Sequence, residues 1–210
     1  MGTQEVSKST LRRLPVYLHF LNSIKDMRTN ISASAIAEEF ELNDVQVRKD
    51  LGSVSGSGRP KTGYDVNELI SQIEDCLGYR TQTGAVLIGA GHLGKALLSF
   101  SGFADYGLNI VAAFDTAPDL VGSYFGGKPV YPMERVEEIC EKNKIRLAIL
   151  TTPVGAAQEI CDRLVLCGVK AIWNFTPTIL KGHKDVLIEN ENLASSLAIL
   201  SKHLREEKRG

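Results

Sequence analysis

The stretch "AVLIGAGHLGKALLSF", residues 85–100, constrains this chain more than any other. A short apolar run predicts a buried strand, Gly89, Gly91 and Gly94 follow as G-x-G-x-x-G, and a run at helical spacing opens at Leu93. Strand, glycine turn and helix in that order form the phosphate-binding corner of a dinucleotide fold. One glycine permits the tight turn, one lets a pyrophosphate approach the backbone, and one lets the helix pack closely on the strand. The helix N-terminus then presents free amides and a positive dipole to the phosphates. Ala90, His92 and Leu93 complete the loop, whose chemistry is that of its backbone. The next apolar run, "NIVAAFD", ends in Asp115 about twenty residues on, where an acid accepts from a ribose 2′-hydroxyl and repels a 2′-phosphate. That favours NAD over NADP. A glycine loop that serves packing alone is the plainer reading, and the complete unit weighs against it.

The surroundings agree. "IRLAILTTP" and "VKAIWNFTP" are further short apolar runs, separated by helical stretches such as "PMERVEEICEKN" and "AAQEICDRLVLCG". Apolar strands alternating with helices predict a doubly wound parallel sheet, buried on both faces, over residues 81–187. Thr152 and Pro153, with Asn174, Phe175 and Thr176, fall on the carboxyl edge of that sheet, where such folds bind ligands. They are candidates for a nicotinamide-side wall; plain strand termination by proline accounts for them equally well. The chain closes on a helix expected over 189–207, with Leu193, Leu197, Leu200 and Leu204 as a stripe, and 188–210 is set apart as a tail.

Residues 1–80 have another character. "LRRLPVYLHFLNSI" reads as a helix with Pro15 in its first turn, and "SASAIAEEFEL" as a short helix capped by Ser32 or Ser34. "NDVQVRKDL" begins a third helix, with Asn43 as cap and Gln46 completing a capping box. A short helix, a tight turn and a second helix make a helix-turn-helix, whose second helix enters the DNA major groove. Gln46, Arg48 and Lys49 are placed outward, with Val45, Val47 and Leu51 inward. The following "GSVSGSGRPKTG" reads as a hairpin wing with Arg59 and Lys61 at its tip, suited to a narrow minor groove. Arg12 and Arg13 extend this face. The bland reading is a solvated charged surface.

Composition narrows the alternatives. The net charge of −1 excludes a globally basic nucleic-acid binder, so any DNA footprint is local. Cys76, Cys140, Cys161 and Cys167 lack metal-type spacing and read as reduced thiols. The N-terminus has no apolar leader and no run reaches the roughly eighteen residues of a membrane span, so a cytoplasmic protein without membrane contact is expected. A dehydrogenase would need a substrate domain, for which the residues after the last of these runs leave little room. A CoA-binding domain shares the glycine turn but not Asp115 or the upstream helices. No catalytic residue and no metal site are assigned, and an enzyme is not expected.

Together "TLRRLPVYL", "QVRKDL", "GYDV", "IGAGHLGKAL", "VAAFD", "VYPMERVEE" and "AAQEICDRLVLCGVKAIWNFTP" follow, over nearly the whole chain, in the order of the redox-sensing transcriptional repressor family Rex, which this sequence resembles. The resemblance implies a homodimer with an N-terminal winged helix on double-stranded operator DNA and a C-terminal helix swapped into the partner. It implies that NADH and NAD⁺ compete for one site, with DNA released when NADH accumulates. By position it assigns Gln46, Arg48 and Lys49 to the recognition helix, Arg59 and Lys61 to the wing, and Gly89, Gly91, Gly94 and Asp115 to the cofactor. The chain departs from the pattern in a wing without aromatics that carries Pro60, and in Phe100, at a cofactor-side position where members often have Tyr. His19 and Asn192 stand where some members pair Arg with Asp.

Overall fold

The computed structural model describes residues 6–56 and 58–207. The chain divides into two compact units, residues 1–81 and 82–210.

The first unit opens with α1 (Lys8–Ile24), which starts earlier than its apolar spacing predicts. The Ser7 side chain caps it by accepting from the Thr10 amide, and Pro15 therefore lies mid-helix rather than in the first turn. An interior proline costs about 3 kcal/mol. Burial of Leu14, Tyr17, Leu18 and Leu21 around it offsets that cost. β1 (Asn30–Ile31) leads to α2 (Ala33–Glu39), with Ser32 as its cap, and a turn through Glu41 at φ 51° leads to α3 (Asp44–Ser55). Asn43 caps α3 as expected, accepting from the Val45 amide. Two details differ. Val45 points to solvent at 71% exposure, and the Gln46 side chain does not complete a capping box but turns along the helix to Asp50. β2 (Tyr64–Asp65) pairs antiparallel with β1, and α4 (Val66–Leu77) closes the unit. Leu14, Leu21, Ile36, Val47, Leu51, Leu69 and Ile73 are its buried centre.

Among its described residues the second unit holds a seven-stranded sheet. In chain order the strands are β3 (Thr83–Ile88), β4 (Leu108–Asp115), β5 (Tyr124–Phe125), β6 (Lys128–Pro132), β7 (Leu147–Leu150), β8 (Ala171–Asn174) and β9 (Leu187–Asn190). Their spatial order is β5-β6-β4-β3-β7-β8-β9, all parallel except the short edge pair β5–β6. The strand order therefore reverses between β3 and β7, and in open α/β sheets ligands bind outside the carboxyl ends at such a point. α5 (His92–Ser99) and a 3₁₀ turn over Ser101–Tyr106 pack on one face of the sheet. α6 (Val136–Lys142) and α7 (Val154–Leu166) pack on the other. The tail departs from expectation: residues 187–190 form edge strand β9, and the closing helix α8 (Leu193–Glu207) starts four residues later than predicted. Leu197, Leu200 and Leu204 of the predicted stripe are 63%, 61% and 57% exposed, while the side chain of Leu193 lies outside the described residues. Cys161 is buried in α7, Cys167 ends that helix, and the four thiols are free. No helix of the described residues is long and apolar enough to cross a membrane.

Candidate functional site

At the switch point, the turn after β3 is built by backbone geometry. Gly89 sits at φ 97°, and a Cβ there would lie 2.8 Å from the Thr151 carbonyl oxygen. Thr151, just beyond β7, locks the turn by donating its hydroxyl to the Gly89 carbonyl at 2.6 Å. A Cβ on Gly94 would meet the Gly89 oxygen at 2.0 Å, so only glycine lets α5 approach this closely. Gly91 is different: a Cβ there would meet nothing within 4 Å. It is the cap residue of α5, no side chain caps the helix, and the Lys95 amide makes the bond back to the Gly91 carbonyl. Open ground above an uncapped helix start suits a phosphate. His92 and Leu93 are exposed beside it, and Ala90 is buried.

Asp115 ends β4, half-buried, and its carboxylate accepts from the Ala90 amide at 2.7 Å and the Ala117 amide at 2.9 Å. A carboxylate has about four acceptor positions, so both oxygens keep capacity for a hydroxyl donor while the acid pins the glycine loop.

Across the switch point, Thr152 and Thr176 are buried at the ends of β7 and β8, and their hydroxyl oxygens have no hydrogen-bond partner. A buried unpaired hydroxyl costs about 1–3 kcal/mol, which a ligand's polar group at this edge would recover. Asn174 is fully buried and organises the loop. Its Nδ2 donates to the Thr178 carbonyl and to Asn190 Oδ1, and its Oδ1 accepts from the Thr176 amide. It shapes the wall; its own polar atoms are engaged. Pro153 is exposed and Phe175 half-buried, its ring 4.7 Å from Trp173. Phe100 caps the far end of α5 and stacks edge-on against Phe103 at 4.9 Å, which in turn meets Trp173 at 5.9 Å.

In the first unit, a cavity of about 490 Å³ lies between α2, α3 and the wing, with Ser32, Arg48, Arg59, Lys61 and Tyr64 among its lining. The wing is a tight hairpin: the Arg59 and Gly63 backbones exchange hydrogen bonds at 2.8 and 2.9 Å around a tip that includes Lys61. Arg48 and Lys49 are exposed on α3, and Arg48 pairs with Asp44 one turn earlier at 2.7 Å. Arg12 is exposed on α1. Arg13 and Gln46 are half-buried and turn toward Asp50, to which both donate.

Asp50 is the residue that spacing did not single out. It is 0% exposed and accepts from Thr10, Tyr17, Gln46 and twice from Arg13, at 2.6–3.0 Å. Burial opposes its ionisation, yet the donors from Arg13, Gln46, Thr10 and Tyr17 outweigh burial and hold its pKa below the ordinary value. Burial first, then the bond to Asp50, pushes the Tyr17 phenol up to about 12. The signal available in the sequence was the pair Thr10 and Arg13 at i, i+3 with Tyr17 one turn on, a polar stripe along an otherwise apolar helix face.

Comparison with known proteins covers both units. A family model described as a putative DNA-binding protein N-terminus matches residues 5–52, and one described as a CoA binding domain matches 80–178. The redox-sensing transcriptional repressor Rex of Treponema denticola is 40% identical over 210 residues, covering 99% of this chain and 100% of the relative. That of Porphyromonas gingivalis is 38% identical over 202 residues, covering 96% and 93%. Among solved structures, RSP in complex with β-NAD⁺ and operator DNA matches at TM-score 0.91 and 37% identity, covering 98% of this chain and 95% of that one. RSP in complex with β-NADH matches at 0.87, covering 98% and 97%.

Proposed function

The chain belongs to the redox-sensing transcriptional repressor Rex family, and on that premise we propose that it binds operator DNA when NADH is scarce and releases it when NADH accumulates. A helix-turn-helix and a dinucleotide turn at a sheet switch point, joined in one chain along the full length of repressors of that name, are the observation that carries this reading. The relatives are repressors rather than enzymes, so the glycine turn serves sensing, not turnover.

The residue roles follow the geometry. The amides of the α5 start and the open ground at Gly91 take the pyrophosphate, and Asp115 takes the ribose 2′-hydroxyl, so NADH is preferred over NADPH. Thr152, Pro153, Phe175 and Thr176 form the nicotinamide side on the loop that Asn174 shapes, with Phe100 on the aromatic run beyond it. Arg48 and Lys49 meet the major groove, Arg59 and Lys61 the minor groove or its phosphates, and Arg12 the DNA backbone. Gln46 joins them on α3, while Arg13 acts through Asp50. In this reading the protein acts in the cytoplasm, with residues 1–80 as the DNA-binding domain, 81–187 as the NAD(H) domain and 188–210 as a tail whose helix α8 joins two copies in a homodimer. The exposed leucines of α8 support the homodimer.

The test is operator binding by fluorescence anisotropy at fixed salt, on a duplex selected from a randomised pool, with NADH or NAD⁺ added. NADH should weaken binding at least fivefold, the low end of allosteric coupling, and NAD⁺ should not. Equal affinity in both cofactors would overturn the sensing reading.

A further inference from the structure

Resting on the DNA-binding reading above, we propose that Asp50 fixes the orientation of the Gln46 carboxamide so that Gln46 reads an adenine in the operator major groove, Asp50 being the positioning residue.

Gln46 is the third residue of α3, in the N-terminal part of the second helix, which is the part that reaches base edges in this motif. A glutamine presents an oxygen that accepts and a nitrogen with two hydrogens, and base recognition depends on which way the amide faces. Here the choice is made from below. Asp50 lies one turn along the same helix, fully buried and ionised, and a carboxylate accepts only. Gln46 Nε2 donates to Asp50 Oδ1 at 2.9 Å. The opposite orientation would set the amide oxygen against a carboxylate already filled by Thr10, Arg13 and Tyr17. One amide hydrogen is thus engaged, leaving the second hydrogen and Oε1. An acceptor beside a donor is the complement of the N6 amine and N7 of adenine, and an amide is the side chain that makes this pair of bonds. The three α1 side chains hold the carboxylate still, so the amide arrives oriented and loses little rotamer freedom on binding.

The experiment measures operator preference position by position with a randomised half-site pool, for the wild type, Gln46→Ala, Asp50→Asn and the double variant, each with its thermal midpoint. Gln46→Ala should lose about tenfold in preference at a single A·T pair and leave the other positions unchanged. Asp50→Asn offers Gln46 either a donor or an acceptor, so preference should relax at that same pair, and the double variant should go no further. Replacing that adenine by 7-deazaadenine should weaken the wild type and leave Gln46→Ala unaffected. If Asp50→Asn does not fold, the Gln46 side-chain amide in the wild-type complex, observed by ¹⁵N NMR, should show both protons shifted and protected from exchange. Protection of one proton alone would overturn the proposal. So would relaxation at a G·C pair, or loss of affinity spread evenly over all positions, the mark of a merely structural role. Absence of any sequence preference in the wild type would instead overturn the DNA-binding reading itself.

Discussion

The glycine turn after β3 and the helix α3, read above as the two ligand-facing sites, are shaped by opposite means. The turn is shaped by what is missing: side chains at Gly89 and Gly94 would collide with backbone oxygens, and the amides of α5 are left bare. α3 is shaped by what is added: a buried carboxylate collects five hydrogen bonds from side chains on two helices. A site made of backbone fails when a side chain is introduced, and a site made of side chains fails when one is removed.

Four substitutions break or sharpen that contrast. Asp50→Ala removes every acceptor of the hub and strands the Arg13 guanidinium, so the first unit should lose about 3–4 kcal/mol, read by urea unfolding. A folded pKa below 3.8 means that the Asp50 contribution is complete above pH 3.8 and is lost as pH falls through that lower value. The variant should lack that part of the wild-type acid transition, and an unchanged acid limb would break the account. Gly94→Ala adds one methyl against the Gly89 oxygen and should cost about 2–3 kcal/mol, with NADH binding lost in nicotinamide fluorescence. A variant that binds NADH normally would show that the turn yields more than its geometry implies. Asp115→Asn keeps one acceptor for the loop amides and loses the charge. The preference for NADH over NADPH should shrink by about 1–2 kcal/mol in titration calorimetry, a ratio that general loosening of the loop would not move. Asp44→Ala frees Arg48 from an exposed pair. Stability should change by less than about 0.5 kcal/mol while affinity for unrelated duplex DNA rises, and a fall in that affinity would mean that Arg48 does not face DNA.

The same contrast governs what the sequence discloses. Backbone-made geometry demands glycine at Gly89 and Gly94, and with Gly91 left open between them the spaced motif and the acid at the end of β4 stand out in order. The caps were legible for the same reason, Asn43 outright and Ser32 as one of two serines, since a cap is a local demand. The Asp50 hub was not. "VRKD" reads as a charged surface run, and its burial depends on partners 33–40 residues away on α1. Gln46 misled because three residues after Asn43 it fits a capping box, while the buried carboxylate one turn on competes for its amide. β5 and β9 escaped because short edge strands with half-exposed, partly polar residues carry no buried run.

Pro15 divides the hydrogen-bond ladder of α1, and the Asp50 ligands fall on both sides of it: Thr10 and Arg13 before, Tyr17 after. A helix interrupted in this way opens piecewise, its leading turns able to unzip while the remainder stays formed. Those leading turns carry three of the five bonds to Asp50, so their unzipping and the loosening of α3 are one local event. In amide exchange the start of α1 and α3 should therefore share a single opening free energy, smaller than that of the fold as a whole.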